Sequence, residues 1–476
     1  KWLMRDVLRE EWGFDGVVIS DWGAVLEQVN HGVAKDDKEA ALKSIIAGVD
    51  IEMMTPTYVH NLKELIEENK IQESLIDEAV LRILELKNEL GLFENLYRAA
   101  DESLEKTIVF SDEHRQLARK LATKSAVLLK NENVLPLTSS QKIALVGPFA
   151  NNTDLLGAWS CNGSTEEVTT LAEGMAEKLA ENSLFIAEGC DIETGTEKQW
   201  ETAKEAILKA DVVVLALGES SDMSGEAASR ADIKLPKAQL ELIQRVKQLN
   251  KPTVTVLFNG RPLDLHGVID TTEAVLEAWY PGSEGGRAVA DLLFGDENPS
   301  GKLTMSFPYS VGQIPVYYNA FNTGRPKGAE DNPEKYVSKY LDIPNAPLLP
   351  FGFGLSYTNF EYTDAHLSDS ILNENNSITL TVNIKNTGNH RGEEVVQLYI
   401  QDRHGEVVRP LKELKGFKKI FLDPGETKEV TFEINEKMLR YHHFDFKFTS
   451  DEGEFIASVG PNSRDVIELP FKLEKS

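Results

Sequence analysis

The stretch GFDGVVISDWGAV, residues 13–25, decides how the N-terminal part of this chain is read. Gly16-Val17-Val18-Ile19-Ser20 is a nearly unbroken apolar run. Such a run predicts a parallel strand covered on both faces. Asp21 follows at once, an ionisable side chain at the C-terminal lip of that strand, and Trp22 sets an aromatic face beside it. In (β/α)₈ barrels the chemistry sits at this end of the strands. The same Asp also suits the cap of a following helix, and the stretch by itself leaves both readings open.

Residues 1–95 continue as β/α units. Residues 1–12 read as a short amphipathic helix stopped by Gly13, 37–46 as a helix and 49–53 as a short strand. Leu75, Ala79, Ile83 and Leu84 form one helical stripe that ends near Gly91. Residues 96–111 read as a connector. Leu117, Leu121 and Leu129 then predict a helix over 114–129. Apolar runs at 143–146, 212–217, 254–258 and 275–279 predict strands, with helical patterns at 237–249 and 284–293. That rhythm predicts an α/β domain over 112–310, a mainly parallel sheet with helices on both faces. Residues 311–358 are rich in Pro, Gly, Asn and Tyr without a period. A segment this long is usually functional or spans an interface, and a homodimer contact is one expectation for it. From 359 to 476 the pattern is all-β, with short strands predicted at 378–384, 395–400, 429–434 and 455–459, a sandwich.

Composition bounds the function. At 476 residues two or three domains are expected. Apolar content of 41% and charged content of 27% are those of a globular protein, and no apolar run nears the roughly 20 residues of a membrane helix. The formal net charge of −27 repels phosphate backbones, so nucleic acid is not an expected partner, and without such an apolar run neither is a membrane. The two cysteines, Cys161 and Cys190, have no zinc spacing and are expected as two separate small buried residues rather than a bridge. The histidines show no HExxH pair, and no metal or other cofactor is indicated. Gly282-Ser-Glu-Gly-Gly286 lacks the spacing of a phosphate loop and reads as a tight strand-to-helix turn.

The chain resembles the family 3 glycoside hydrolases. SDWGAV (20–25), SAVLLKNENVLPL (125–137), KIALVGPFA (142–150), SGEAASRADIKLP (224–236), AWYPGSEGGRAVADLLFGDENPSGKLTMSFP (278–308) and PFGFGLSYT (350–358) carry the resemblance, in family order. VGQIPVYYNAFNTGRP (311–326) is similar to the periplasmic β-glucosidases of Gram-negative bacteria within it. The resemblance implies that residues 1–95 are the C-terminal portion of a (β/α)₈ barrel, and that 359–476 form a fibronectin type III-like sandwich. It also implies a periplasmic or secreted enzyme acting on oligosaccharide or aryl β-glucosides. A whole barrel takes about 250 residues. The expectation is therefore that a missing N-terminal barrel segment or a second chain completes it, and that residues 1–476 alone do not turn over substrate. β-Xylosidase and arabinofuranosidase activities, and a truncated carbohydrate-binding or interaction protein without catalysis, are the alternative expectations.

Retaining glycoside hydrolysis needs two carboxyl groups about 5–5.5 Å apart, one ionised to attack the anomeric carbon and one protonated to release the leaving group. The resemblance implies Asp21 as nucleophile, with Trp22 as a sugar platform. Two residues compete for the acid. Glu226 lies in a Gly/Ser-rich loop after the 212–217 strand, with Arg230 placed to hold its carboxylate or to pair with Asp222 or Asp232. The family's fungal members usually continue Gly-Glu-Gly where this chain has Gly-Glu-Ala. Glu27 leaves the same strand as Asp21, six residues on, and its plain reading is a solvated acid.

Overall fold

A computed structural model describes residues 1–97, 101–161, 163–329 and 331–475. Residues 98–100 of the expected connector and residue 330 of the expected long segment lie outside them. The chain divides into two compact units, Lys1–Val109 and Phe110–Ser476.

The first unit opens on a π-helical segment, Trp2–Glu11. It continues β1 (Ile19–Trp22), α1 (Ala24–Asn30), α2 (Asp37–Ala47), β2 (Ile51–Met53), α3 (Thr57–Glu67), α4 (Glu73–Glu89) and α5 (Glu102–Ile108). β1 and β2 pair in parallel. The strand therefore starts three residues later than the apolar run and takes in Asp21 and Trp22. Val18 is buried, but Ile19 is 52% exposed, so the run is not covered on both faces by the described residues. The small core gathers Val25, Ala41, Ile45, Tyr58 and Leu65.

Asp50, just before β2, is the polar centre of this unit. Its carboxylate is almost wholly buried and takes Arg9 at 2.7 Å, Arg82 at 2.8 Å and the Val18 backbone N–H at 2.8 Å. It thus ties the first helical segment, the approach to β1 and α4 to one point.

The second unit begins with α6 (Asp112–Ser125) and β3 (Val127–Asn131). The predicted helix over 114–129 is corrected here. Leu117 and Leu121 face solvent, whereas Val127, Leu128 and Leu129 are buried in a strand antiparallel to a later one. Then come β4 (Ile143–Val146), α7 (Leu171–Ala176), β5 (Leu184–Ala187), α8 (Glu197–Leu208), β6 (Val212–Gly218), α9 (Lys237–Lys247), β7 (Thr253–Phe258), β8 (Ala274–Glu277) and α10 (Gly285–Phe294). They form a six-stranded sheet in the order β3-β8-β7-β6-β4-β5, parallel except for β3. The sheet buries one apolar layer on each face. Gly286 sits where a Cβ would lie 2.0 Å from the Thr170 carbonyl oxygen, so the turn into α10 needs glycine to let α7 approach. Cys190 is buried and Cys161 exposed, both free, so the expectation of two buried thiols fails at Cys161.

The all-β part holds β9 (Phe360–Leu367), β10 (Ile371–Leu372), β11 (Ser377–Asn386), β12 (Gly392–Asp402), β13 (Glu413–Leu422), β14 (Thr427–Asn435), β15 (Tyr441–His442), β16 (Phe448–Thr449), β17 (Gly453–Gly460) and β18 (Ile467–Leu473). A five-stranded sheet, β10-β18-β17-β12-β13, faces a three-stranded one, β14-β11-β9. Strict alternation along β11 turns Ile378, Leu380, Val382 and Ile384 inward against Val396, Leu398 and Ile400 of β12. The α/β domain holds this sandwich through Lys302, which meets the buried Glu394 carboxylate at 3.1 Å. The expected fold class, an α/β domain with a mainly parallel sheet and a fibronectin type III-like sandwich, is the one found. Among the described residues no helix is long and apolar enough to cross a membrane.

Removing the Asp50 carboxylate leaves the largely buried Arg9 guanidinium without a counter-ion and Arg82 with Glu78 alone. Asp50→Ala is expected to destabilise the first unit by about 3–5 kcal/mol. A urea titration followed by circular dichroism checks it, and a loss under about 1 kcal/mol, the range of an exposed pair, would contradict the assigned role.

Candidate active site

At the end of β1 the ladder is irregular. Ile19 pairs with Ile51 and Trp22 with Met53, so β1 spends one more residue than β2 over the same interval. That is a bulge across Ser20-Asp21, a device that re-aims side chains at strand ends. The Ser20 hydroxyl accepts from the Met53 N–H at 2.9 Å, and the Asp21 carboxylate accepts from the Trp22 N–H at 2.7 Å. Asp21 is exposed and Trp22 is 65% exposed. Gly23, at φ +68°, turns the chain into α1. One turn on, Glu27 is exposed, and its Oε1 lies 3.9 Å from where a Cβ on Gly23 would stand. Glu27 thus folds back toward the strand end that carries Asp21.

The second unit has its own candidate position. After β4 the chain passes outward to β5, then crosses back to β6 on the other side. The gap between the C-terminal ends of β4 and β6 is a topological switch point, where open α/β sheets take ligands. A cavity of about 520 Å³ opens there. Pro148 and Asn152 line it after β4, Cys190 and Asp191 after β5, and Ser220 and Met223 after β6. The loop leaving β6 carries Glu226, which is exposed between Gly225 at φ +94° and Ala227 at φ +59°. Gly225 packs on Ala158 and Trp159, and a Cβ on it would lie 3.4 Å from the Trp159 indole nitrogen. Trp159 is itself 69% exposed, an aromatic surface on the flank of the Glu226 loop.

What holds this loop is a buried ion cluster. Glu219, the first residue past β6, is fully buried. Arg230 pairs with its Oε1, and Arg261 Nε donates to its Oε2 at 3.0 Å. Arg261 also donates through Nη2 to the carbonyl of Met223 and, at 3.0 Å, to that of Ala228. The Tyr280 hydroxyl donates to the Ser220 carbonyl at 2.8 Å. Both ends of the Glu226 loop are thereby fixed to the sheet. The expected partner of Arg230 is corrected: it holds Glu219, not Glu226, Asp222 or Asp232. Burial is the reason, since a buried carboxylate requires a cation whereas the exposed Glu226 is solvated by water.

Glu219, Arg261 and Trp159 were missed by sequence reasoning. Glu219 had a signal, an acid directly after the wholly buried run Val212–Gly218. Its pairing across 42 positions had none. Among the described residues no group of His, Cys, Asp and Glu could hold a metal ion.

Comparison with known proteins fits this architecture. Residues 1–86 match the glycosyl hydrolase family 3 N terminal domain, 126–357 the family 3 C-terminal domain, and 394–463 a fibronectin type III-like domain. The chain is 40% identical to the periplasmic beta-glucosidase of Salmonella typhimurium over 99% of its own length and 65% of that protein's. It is 39% identical to a beta-xylosidase of Formosa agariphila over 97% of its length and 65% of that protein's. The crystal structure of a beta-glucosidase from Listeria innocua superimposes with a TM-score of 0.94 at 47% identity, covering 100% of this chain and 66% of that one. The chain belongs to glycosyl hydrolase family 3. It spans about 65% of the length of these curated relatives.

Arg261→Ala removes one of two cations from a buried carboxylate and two bonds to the loop. It is expected to lower the stability of the second unit by about 3–5 kcal/mol and to open the backbone after Arg230 to trypsin. A chemical-denaturation curve and a timed tryptic digest check both, and unchanged resistance at Arg230 would contradict the loop's dependence on the cluster.

Proposed function

We propose that this chain carries the two catalytic carboxyl groups of a retaining, exo-acting β-glucosidase. The observation that carries the reading is the bulge at the end of β1, which frees Asp21 beside an exposed Trp22 in a family 3 N terminal domain. Asp21 attacks the anomeric carbon of a terminal β-glucosyl residue, with the sugar stacked on Trp22. Glu226 protonates the departing oxygen, then deprotonates the water that releases glucose from Asp21. Arg230 acts through Glu219 to position the loop rather than by touching sugar. The related Listeria innocua enzyme is described in complex with isofagomine and with glucose, which supports a glucosyl substrate. The Formosa agariphila relative supports β-xylosides as the second substrate class.

Glu226 is preferred over Glu27 because its loop is held at both ends at a switch point. Glu27 is the second reading for the acid, favoured by its side chain leaning toward the end of β1. The first unit supports a barrel that further polypeptide completes. It presents Trp2, Trp12, Ile19, Leu81 and Leu84 to solvent, and two strands do not make a stable sheet. Periplasmic or secreted placement is part of the proposal, supported by the name of the Salmonella relative.

The test uses residues 1–476 joined to the N-terminal barrel segment of such relatives. Asp21→Asn is expected to abolish turnover, since an amide cannot form the glycosyl ester. Glu226→Ala is expected to lose about 10²–10⁴-fold in kcat on alkyl glucosides, to keep more activity on activated aryl glucosides, and to be rescued by azide. The same asymmetry in Glu27→Ala instead would transfer the role. Asymmetry in neither would remove both residues from it.

A further inference from the structure

Glu277, the last residue of β8, is a fully buried carboxyl group that the mechanism above does not use. Its Oε1 accepts from the Trp279 N–H at 3.1 Å, while Oε2 is buried without a partner. The side chain of Asn259, just past β7, adjoins it and is also fully buried. Asn259 Nδ2 donates to the Arg261 carbonyl at 2.7 Å, which leaves Oδ1 as a second buried acceptor without a partner. Reversing the amide would set Oδ1 against that carbonyl, two acceptors together. Two orphaned acceptors in one buried spot lack a single donor.

The cations near this spot are committed. Arg230 and Arg261 both compensate Glu219. On the facing strand β3, the residue opposite Glu277 is the apolar Val127. Burial pushes the Glu277 carboxyl well above the ordinary carboxylate range; the Trp279 N–H and the Asn259 side chain oppose it, and the Glu219 charge adds a smaller push upward. A proton on Oε2 supplies the missing donor without a counter-ion.

We propose that Glu277 is carried as a neutral carboxylic acid whose Oε2–H donates to Asn259 Oδ1, and that this pair is a positioning element for the Glu226 loop. Asn259 fixes the Arg261 carbonyl, and the Arg261 guanidinium fixes Glu219, Met223 and Ala228. The order of the loop therefore depends on a proton held behind it. Only the consequence for catalysis rests on Glu226 being the acid; the proton and the order of the loop are measured without turnover.

The experiment uses residues 1–476 with isotope-labelled glutamate. Infrared spectra of the wild-type chain are expected to show one protonated-carboxyl stretch at neutral pH that disappears in Glu277→Gln. Amide exchange over 220–230 is then compared between variants. Glu277→Gln keeps a donor at that position and is expected to exchange within about twofold of wild type, whereas Glu277→Ala exchanges about tenfold faster or more. An ionised Glu277 at neutral pH overturns the proposal, and so does a Gln variant as loose as the Ala variant. If Glu277→Ala does not fold, the infrared band and the exchange of the Gln variant decide between the same two results. Failure of Glu226 in the leaving-group test leaves both readouts standing, so the two readings fail separately.

Discussion

The Glu219 carboxylate, fully buried between Arg230 and Arg261, is the constraint around which the second unit's candidate site is built. An isolated charge at this depth is strongly unfavourable, so the fold must bring two cations to it. One comes from the far end of the Glu226 loop and the other from the segment after β7. Meeting the charge therefore closes the loop and anchors it to the neighbouring strand in one step. Gly218, immediately before, runs so close to β7 that a Cβ would lie 1.8 Å from the Phe258 carbonyl oxygen. No other residue type fits there, and the close approach delivers Glu219 to Arg261.

The parallel sheet supplies the rest. Its order places the ends of β4 and β6 side by side with their connections diverging, which leaves a crevice no loop must cross. Asp154, past β4, accepts from the Ser221 N–H at 2.9 Å and joins the two loops across it. The first unit solves a different problem at the end of β1. There a bulge turns a carboxylate out of a ladder that would otherwise alternate it into place. One unit thus offers an exposed carboxylate on a strand end, the other an exposed carboxylate on a braced loop.

The central strands were legible in the sequence because each is a wholly apolar run of the right length, Val212–Gly218 above all. β5 was not, since an edge strand is covered on fewer sides and its Ile186 is 48% exposed. The helix drawn through Leu129 followed a spacing whose leucines turn out to face solvent, while sheet pairing claimed the residues after Ser125. Asp21 and Glu226 came from family resemblance and from acids placed after apolar runs. The same local signal stands at Glu219 and Glu277, both fully buried, and at Asp21, which is exposed. A sequence shows an acid at a strand end; only the topology shows whether water or an arginine waits there. For the same reason the sequence offers Arg230 the acids of its own loop, Glu226, Asp222 and Asp232, while the fold brings it to Glu219.

The most direct measurement traps the glycosyl-enzyme. Glu226→Ala protein, extended as in the turnover test, is incubated with an activated aryl β-glucoside, whose first step needs no acid while its second step lacks the base. Proteolysis and mass mapping then locate the sugar. A hexosyl group accumulating on the peptide that holds Asp21 is the expected result, since it requires both carboxylates in their assigned roles. No accumulation, or a label on any other carboxylate, would contradict the roles proposed for Asp21 and Glu226.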